Sequence, residues 1–260
     1  ETKNFYSKQE SLTKINVSSS ITNIGNGAFK YCPNLTEVTL PASVKQIGKS
    51  TFKGCNKLKK VTILSPITVI CSKTFYCCPL LTEVTMTNSV ISIENYAFCG
   101  CSSLTNINIS NSLESIGDYS FSKCTLLNQI TLPSSVKSIG IYAFLECSSL
   151  KSISIPDSVT SIKCGVFMKC TSLTEISLPS SLTSIEYDAF NSCSSLNNIT
   201  IPSSVKVINN GAFCNCSLLS QINNNSTVDC INRNVFADCK SLKQILIPPS
   251  VTFLDELSFS

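Results

Sequence analysis

Cysteine is the residue type in this sequence whose number most suggests chemistry. The 260-residue chain contains 16 cysteines and no histidine. Two pairs have the close spacing of metal ligands, Cys99-x-Cys101 and Cys214-x-Cys216. Neither pair has a histidine available to complete a site of the usual mixed type. We therefore predict no metal site and no cofactor.

Ten of the cysteines recur every 23 residues, and each follows a phenylalanine by three positions. They are Cys32, Cys55, Cys78, Cys101, Cys124, Cys147, Cys170, Cys193, Cys216 and Cys239. We interpret them as small buried hydrophobic residues. Six lie outside this series: Cys71, Cys77, Cys99, Cys164, Cys214 and Cys230. Cys77 and Cys99 occupy nearly the same place in successive repeats, a geometry that would allow a disulfide.

Catalysis has little support in the remaining residues. Without histidine there is no catalytic triad of the usual kind, and no glycine-rich phosphate loop occurs. The carboxylates that recur, Glu37, Glu83 and Glu175, share one position of the repeat and are typical of a solvated sheet face. The sequence predicts that the protein is not an enzyme.

The repeat predicts the local structure. Eleven phenylalanines keep the 23-residue interval from Phe29 to Phe259, and leucine, isoleucine and valine recur between them. Within one unit, Ile176-x-Leu178 alternates like a short strand that Pro179 ends. The segment 189–193 has the spacing of a 3₁₀ or single helical turn. A unit of this size cannot bury its apolar side chains alone, so successive units must stack, with neighbouring strands parallel and about 4.8 Å apart.

These residues resemble a known family. The unit LKSISIPDSVTSIKCGVFMKC, residues 150–170, is similar to the BspA-like (Treponema pallidum-type) leucine-rich repeat, and the resemblance extends over residues 12–260. It implies a right-handed, curved solenoid, mainly β, with a parallel concave sheet. Members are associated with adhesion and with binding of host proteins. We predict a single solenoid domain, 1–260, with a degenerate repeat or cap at 1–11, ten full repeats at 12–241 and a partial repeat at 242–260. Because the sequence stops in mid-repeat, we expect a segment of a longer protein.

The outward positions of the predicted strands are the candidate binding residues. One row contains Glu37, Lys60, Glu83, Asn106, Gln129 and Glu175, and the other contains Thr39, Thr62, Thr85, Asn108 and Thr131. The expected partner is a protein: a host or extracellular-matrix protein, or another subunit. The alternative is that threonine and serine simply suit exposed strands. We expect no exposed aromatic anchors, and hence weak or multivalent binding.

Two further features bear on these strands. Glycosylation motifs begin at Asn16, Asn108 and Asn198, on the predicted binding face. Either that face carries sugar, or the chain never meets the glycosylation machinery, or the face is not the site. In the unit at 219–241, Asn224 replaces a core aliphatic residue. This predicts either a local bulge with an accessible amide or a degenerate repeat.

Charge gives weaker indications. The net charge is +4, from 19 lysines and one arginine against 16 acidic residues. Lysine crowds residues 45–60 but spreads around the repeat, so solubility is the default interpretation and an anion-binding patch the alternative. We expect no nucleic acid partner and no membrane span. The predicted function is a non-enzymatic protein-interaction scaffold at the cell surface or outside the cell. The alternative is a cytoplasmic structural or assembly scaffold, which many unpaired cysteines favour.

Overall fold

The computed structural model describes residues 11–260, which form short strands joined by turns. The strands fall into two sets and are numbered in chain order. The first set contains β1 (Lys14–Asn16), β3 (Glu37–Leu40), β5 (Lys60–Ile63), β7 (Glu83–Thr85), β11 (Ser152–Ser154), β13 (Glu175–Ser177), β15 (Asn198–Ile201) and β17 (Gln221–Asn224). The second contains β2 (Asn23–Ile24), β4 (Gln46–Ile47), β6 (Val69–Ile70), β8 (Ser92–Ile93), β9 (Ser115–Ile116), β10 (Ser138–Ile139), β12 (Ser161–Ile162), β14 (Ser184–Ile185), β16 (Val207–Ile208), β18 (Cys230–Ile231) and β19 (Phe253–Leu254).

All strand pairs are parallel, and each residue pairs with the residue 23 positions later. The first set forms the sheets β1-β3-β5-β7, β11-β13 and β15-β17. The second set forms β2-β4, β6-β8-β9-β10, β12-β14-β16 and β18-β19. We call each 23-residue unit a coil. The predicted β-solenoid is confirmed, with about ten turns and no helix among the described residues.

A ladder of phenylalanines runs through the core. Consecutive rings from Phe29 to Phe259 are stacked, with centroids 5.2–5.6 Å apart and planes within 20° of parallel. The rings from Phe52 to Phe213 are fully buried. Burying one such side chain stabilises a fold by about 1.5–3 kcal/mol. Stacking identical coils thus supplies the core that one coil lacks.

The ladder cysteines are buried in the core with the phenylalanines, as predicted, and nine of the ten also donate a hydrogen bond. The thiol of Cys124 lies 3.2 Å from the carbonyl oxygen of Phe98 in the preceding coil. The same contact recurs from Cys55 to Cys239 at 3.1–3.2 Å. Burial raises the pKa of these thiols, which stay protonated and keep donating. All 16 cysteines lie in the described part of the chain and are free.

The turn around each phenylalanine is not the helical turn that the spacing predicts. The residues two before and two after each ladder phenylalanine from Phe29 to Phe236 have positive φ, as Asp188 (54°) and Ser192 (62°) do around Phe190. Left-handed residues at both places interrupt any helix. Consecutive β-turns replace it, closed by bonds such as Cys193 N–H to the Phe190 carbonyl at 3.0 Å.

Gly165 occupies one of these left-handed positions, with φ of 59°, and a Cβ there would overlap the ring of Tyr142. We expect Gly165→Ala to lower the free energy of unfolding by about 2 kcal/mol, from backbone strain and displacement of the ring. Gly25→Ala is the control, since a Cβ on Gly25 meets nothing within 4 Å. Urea unfolding of both variants tests this, and equal effects would contradict it.

Asn224 does not disrupt its coil. Strand β17 pairs with β15 over four residues, including Ile201 opposite Asn224, so the predicted bulge is absent. Asn224 is buried, and its side-chain oxygen accepts hydrogen bonds from Ser226 N–H at 3.1 Å and Ser226 Oγ at 2.6 Å. A local partner therefore offsets the cost of burying the amide.

Two other predictions concern the N-terminal cap and a membrane span. The predicted cap lies on residues outside the described range, apart from Ser11. Between residues 11 and 260, no helix is long and apolar enough to cross a membrane.

Candidate binding groove

The outward side chains of the first strand set form a surface that we call the strand face. In β3, β5 and β7 the valines at the centre point inward and are buried, which turns their neighbours toward solvent. Glu37, Lys60 and Glu83 stand opposite one another across the three strands. Thr39, Thr62 and Thr85 form the second row, with Thr62 half-buried and the others exposed.

The charged residues of this region neutralise one another. Lys60 Nζ lies 2.8 Å from Glu83 Oε1. The hydrogen bond to Glu83 and its charge, with a smaller effect of Glu37, raise the pKa of Lys60. Because the pair is exposed, it adds little to stability. A partner of this part of the face would have to compete with the existing ion pair.

Pairing within the first strand set is interrupted between β7 and β11. Strands were expected at residues 106–109 and 129–132, but neither segment is a strand, and residues 244–247 form none either. Within the described chain, no backbone hydrogen bond joins 106–109 to 83–86 or to 129–132. The nearest bonds lie one residue earlier, from Asn128 N–H to the Thr105 carbonyl and from Lys151 N–H to the Asn128 carbonyl. Asn106 and Asn108, which flank Ile107, are poor strand formers, in keeping with the lost pairing.

An open groove lies over this interruption. Its first part has a volume of about 630 Å³ and is lined by Asn106, Ile107, Asn108, Ile109, Asn111, Gln129, Ile130, Thr131 and Pro133. A second part of about 320 Å³ shares Gln129, Ile130 and Thr131 and is lined also by Leu132, Ser152, Ile153, Ser154, Glu175 and Ser177. The groove therefore extends from residue 106 to residue 177 on the strand face.

The groove is lined by amides and hydroxyls over an aliphatic floor. Ile107, Ile130 and Ile153 are buried beneath it. Glu175 is its one charged lining residue. Carboxamides both donate and accept hydrogen bonds, and the unpaired main chain beside them does the same. This arrangement suits a neutral polar ligand, such as the main chain of an extended polypeptide.

The repeat that builds this groove matches a known family. The model of the BspA type leucine rich repeat region matches in six copies, over residues 1–93, 68–167 and 142–260. The chain belongs to the BspA-type leucine-rich repeat family. No curated protein matches the sequence.

Several solved structures are similar to this chain. A leucine-rich repeat protein of T. pallidum is 30% identical, with a TM-score of 0.52, over 70% of this chain and 77% of that one. A leucine-rich repeat protein from Eubacterium ventriosum is 21% identical, with a TM-score of 0.56, over 98% and 84%. The pneumococcal vaccine antigen PcpA is 23% identical, with a TM-score of 0.56, over 92% and 67%. The last two likenesses concern the fold alone.

In this BspA-type repeat protein, the predicted binding residues separate into two groups. Five line the groove: Asn106, Asn108, Gln129, Thr131 and Glu175. The other six lie on the paired strands β3, β5 and β7, and two of these, Glu37 and Thr39, line a separate groove of about 320 Å³. The two rows therefore do not lie on one continuous sheet.

Sequence reasoning missed several lining residues. Asn111, which follows the expected strand, was missed altogether. Ser152, Ser154 and Ser177 belong to the two outward rows but were not chosen as candidate binding residues. The available signal was asparagine at both outward positions, 106 and 108, a combination that no other coil has in the sequence.

The glycosylation motifs have different surroundings in the BspA-type fold. Asn16, Asn108 and Asn198 are exposed on the strand face, and Asn108 lines the groove. Asn224 also begins such a motif, but it is buried and bonded to Ser226, so it is inaccessible as an acceptor. A glycan on Asn108 would occupy the groove.

The groove lining contains no aromatic residue, but aromatic side chains are exposed elsewhere on the solenoid. Tyr31 is 47% exposed and Tyr187 51%. The half-buried rings of Tyr96, Tyr119 and Tyr142 stack on the outside of the turns, with centroids 4.9 and 5.0 Å apart. The missed signal was tyrosine two residues before phenylalanine in three successive coils.

Proposed function

We propose that the protein is a non-enzymatic interaction scaffold that binds a protein ligand through the groove at residues 106–177. The observation that carries this proposal is the interruption of the first strand set between β7 and β11. There the amide and hydroxyl side chains lie beside main chain that forms no strand pairing, on a support of stacked coils. The ligand would be a host or extracellular-matrix protein or another subunit.

The chemistry of the groove favours an extended segment of that ligand. Its lining is uncharged apart from Glu175 at one end, so recognition rests on hydrogen bonds to the main chain. The stacked coils hold these groups in place before binding, which reduces the entropy that association costs. Glu175 would favour a basic residue at its end of the bound segment.

We propose a location at the cell surface or outside the cell, where family members are associated with adhesion. The alternative is a cytoplasmic scaffold, and the 16 free cysteines favour that reducing environment. The hydrogen-bonding groups of the groove are the same in either location, so the groove does not favour one over the other.

Thr131→Arg tests the groove directly. Linear 12-residue peptides would be selected from a display library against the protein, and their affinities measured by fluorescence anisotropy. Thr131 is exposed on the groove wall, and an arginine there would fill the space. We expect affinity to fall roughly tenfold or more, equivalent to about 1.4 kcal/mol.

Thr39→Arg is the matched control. Thr39 occupies the same position of its coil, is also exposed, and lies four coils away, roughly 19 Å at the usual strand spacing. We expect little change in peptide affinity for this variant and no change in melting temperature for either one. Selected peptides that bind Thr131→Arg as well as the unmodified protein would show that the groove is not the site.

A further inference from the structure

The turns of the first four coils form a second surface, on a different side of the solenoid from the strand face. In residues 25–34, 48–57, 71–80 and 94–103 the turns contain five lysines and a single carboxylate, Glu94. The lysines are Lys30, Lys49, Lys53, Lys57 and Lys73. The Glu94 carboxylate accepts a hydrogen bond from Ser72 N–H at 2.8 Å. This side of the molecule is therefore strongly basic.

Tyrosine rings hold the lysine ammonium groups in place. Lys53 Nζ lies 5.1 Å from the ring centroid of Tyr76 and 5.9 Å from that of Tyr31. Lys30 Nζ lies 4.8 Å from the Tyr31 centroid. Such contacts contribute about 0.5–1 kcal/mol each at exposed sites. They limit the rotamers of the lysines, so less entropy is lost when an anion binds.

The same arrangement continues into the next coil. Lys73 Nζ lies 5.3 Å from the Tyr96 centroid, and Tyr76 meets Tyr96 edge to face at 6.3 Å. Tyr96 in turn stacks on Tyr119. We call this set the lysine–tyrosine patch; its members are Lys30, Tyr31, Lys53, Lys73, Tyr76 and Tyr96.

The lysines of the patch have no anionic partner within the described chain. The ion pairs there involve Lys60, Lys137 and Lys169, none of which belongs to the patch. Three ammonium groups on successive coils therefore lie against tyrosine rings and have no carboxylate among the described residues to neutralise them. A surface of this kind attracts an anionic partner through its charge.

We propose that the lysine–tyrosine patch binds an acidic segment of a partner protein. Carboxylates pair with lysine ammonium groups without the planar, bidentate geometry that arginine provides. Each ring of the patch has a lysine ammonium group or another tyrosine against it, which leaves less ring surface for stacking with a nucleic acid base. The patch is independent of the groove and could bind a different part of the same partner.

The test uses a fluorescein-labelled peptide of twelve glutamates and the unmodified chain, at 50 and 200 mM NaCl. We expect binding that weakens at the higher salt concentration, because screening reduces attraction between exposed charges. The triple variant Lys30→Gln, Lys53→Gln, Lys73→Gln should lose at least tenfold in affinity. The control Lys151→Gln, Lys163→Gln, Lys206→Gln removes the same charge elsewhere and should lose less than threefold.

A footprint locates the bound peptide. Cys77 is exposed and adjoins Tyr76, so the peptide should slow its reaction with N-ethylmaleimide, while half-buried Cys214 reacts at an unchanged rate. Equal losses in the two triple variants, or no peptide binding at 50 mM NaCl, would overturn the proposal. Tighter binding of heparin or of a dT12 oligonucleotide with the same variant dependence would overturn the assignment to an acidic protein. Thr131→Arg, which tests the groove, should leave this binding unchanged.

Discussion

Phe144→Ala is expected to lower the free energy of unfolding by about 5 kcal/mol. Phe144 is fully buried, and its ring lies 5.4 Å from that of Phe121 and 5.6 Å from that of Phe167. Removing a buried phenylalanine side chain typically costs about 3–5 kcal/mol, and each stacked neighbour adds about 0.5–1.5 kcal/mol. Urea unfolding followed by circular dichroism measures the loss.

Phe259→Ala is the control for the position of the ring in the ladder. Phe259 is 42% exposed and stacks on Phe236 alone, at 5.6 Å. We expect its removal to cost about 1 kcal/mol, because less surface leaves water and one stacked pair is lost. Similar losses at the two positions would show that the ladder does not depend on burial.

The solenoid was predictable because the residues that build it repeat. Phenylalanine, cysteine and leucine at fixed places in the coil must meet the same residues above and below, so the 23-residue period determines the pairing register. Ile153 opposite Ile176 is one such pair. Core positions leave few alternatives, since a shift of one residue would turn the apolar side chains to solvent.

The groove was predictable only in part. Asn106 and Gln129 are exposed and line the groove, at positions that the sequence predicts to face outward. The sequence does not predict the loss of pairing between their coils. Whether two stacked segments form hydrogen bonds depends on the spacing that the whole coil allows. Outward residues influence that spacing weakly, and their own strand preference varies with context.

The lysine–tyrosine patch could not be predicted by comparing equivalent positions of the repeat. Lys53 and Tyr76 occupy the same position in successive coils, but Tyr31 and Lys73 lie at other positions of the turn. Two left-handed residues in every turn bring these positions together. Positive φ at residues such as Lys73 leaves no clear signal in the sequence, because most of these places are not glycine.

Raising the pH from 8 to 10 is expected to destabilise the protein by an amount on the order of 10 kcal/mol. All ten ladder thiols have raised pKa values. Nine of them donate to a phenylalanine carbonyl and are counted here: Cys55, Cys78, Cys101, Cys124, Cys147, Cys170, Cys193, Cys216 and Cys239. Burial is the main cause, and it raises the pKa of Cys55, Cys170 and Cys239 to about 12. Unfolded, the same thiols would titrate near their ordinary value of 9.0.

The sign follows from the protons held by each state. Above pH 9 the unfolded chain releases thiol protons that the folded chain still holds, so stability falls as pH rises. The fall continues until the folded thiols themselves ionise, which for Cys55, Cys170 and Cys239 is near pH 12. Each thiol contributes roughly 1 kcal/mol per pH unit in this range. The loss from nine thiols together exceeds the free energy of unfolding of many small proteins, so we expect the protein to unfold near pH 10.

Replacing four ladder thiols separates this effect from general alkaline damage. The variant with Cys101, Cys124, Cys147 and Cys170 changed to serine keeps hydroxyl donors for the phenylalanine carbonyls but removes four titrating groups. Stability would be measured by urea unfolding at intervals from pH 8 to pH 10, with a reductant present. The variant should be less stable than the unmodified protein at pH 8, because each serine leaves a small void. Its unfolding should release about four fewer protons, so its free energy of unfolding should fall less steeply as the pH rises. An unchanged slope would mean that the buried thiols do not govern the alkaline limit of the fold.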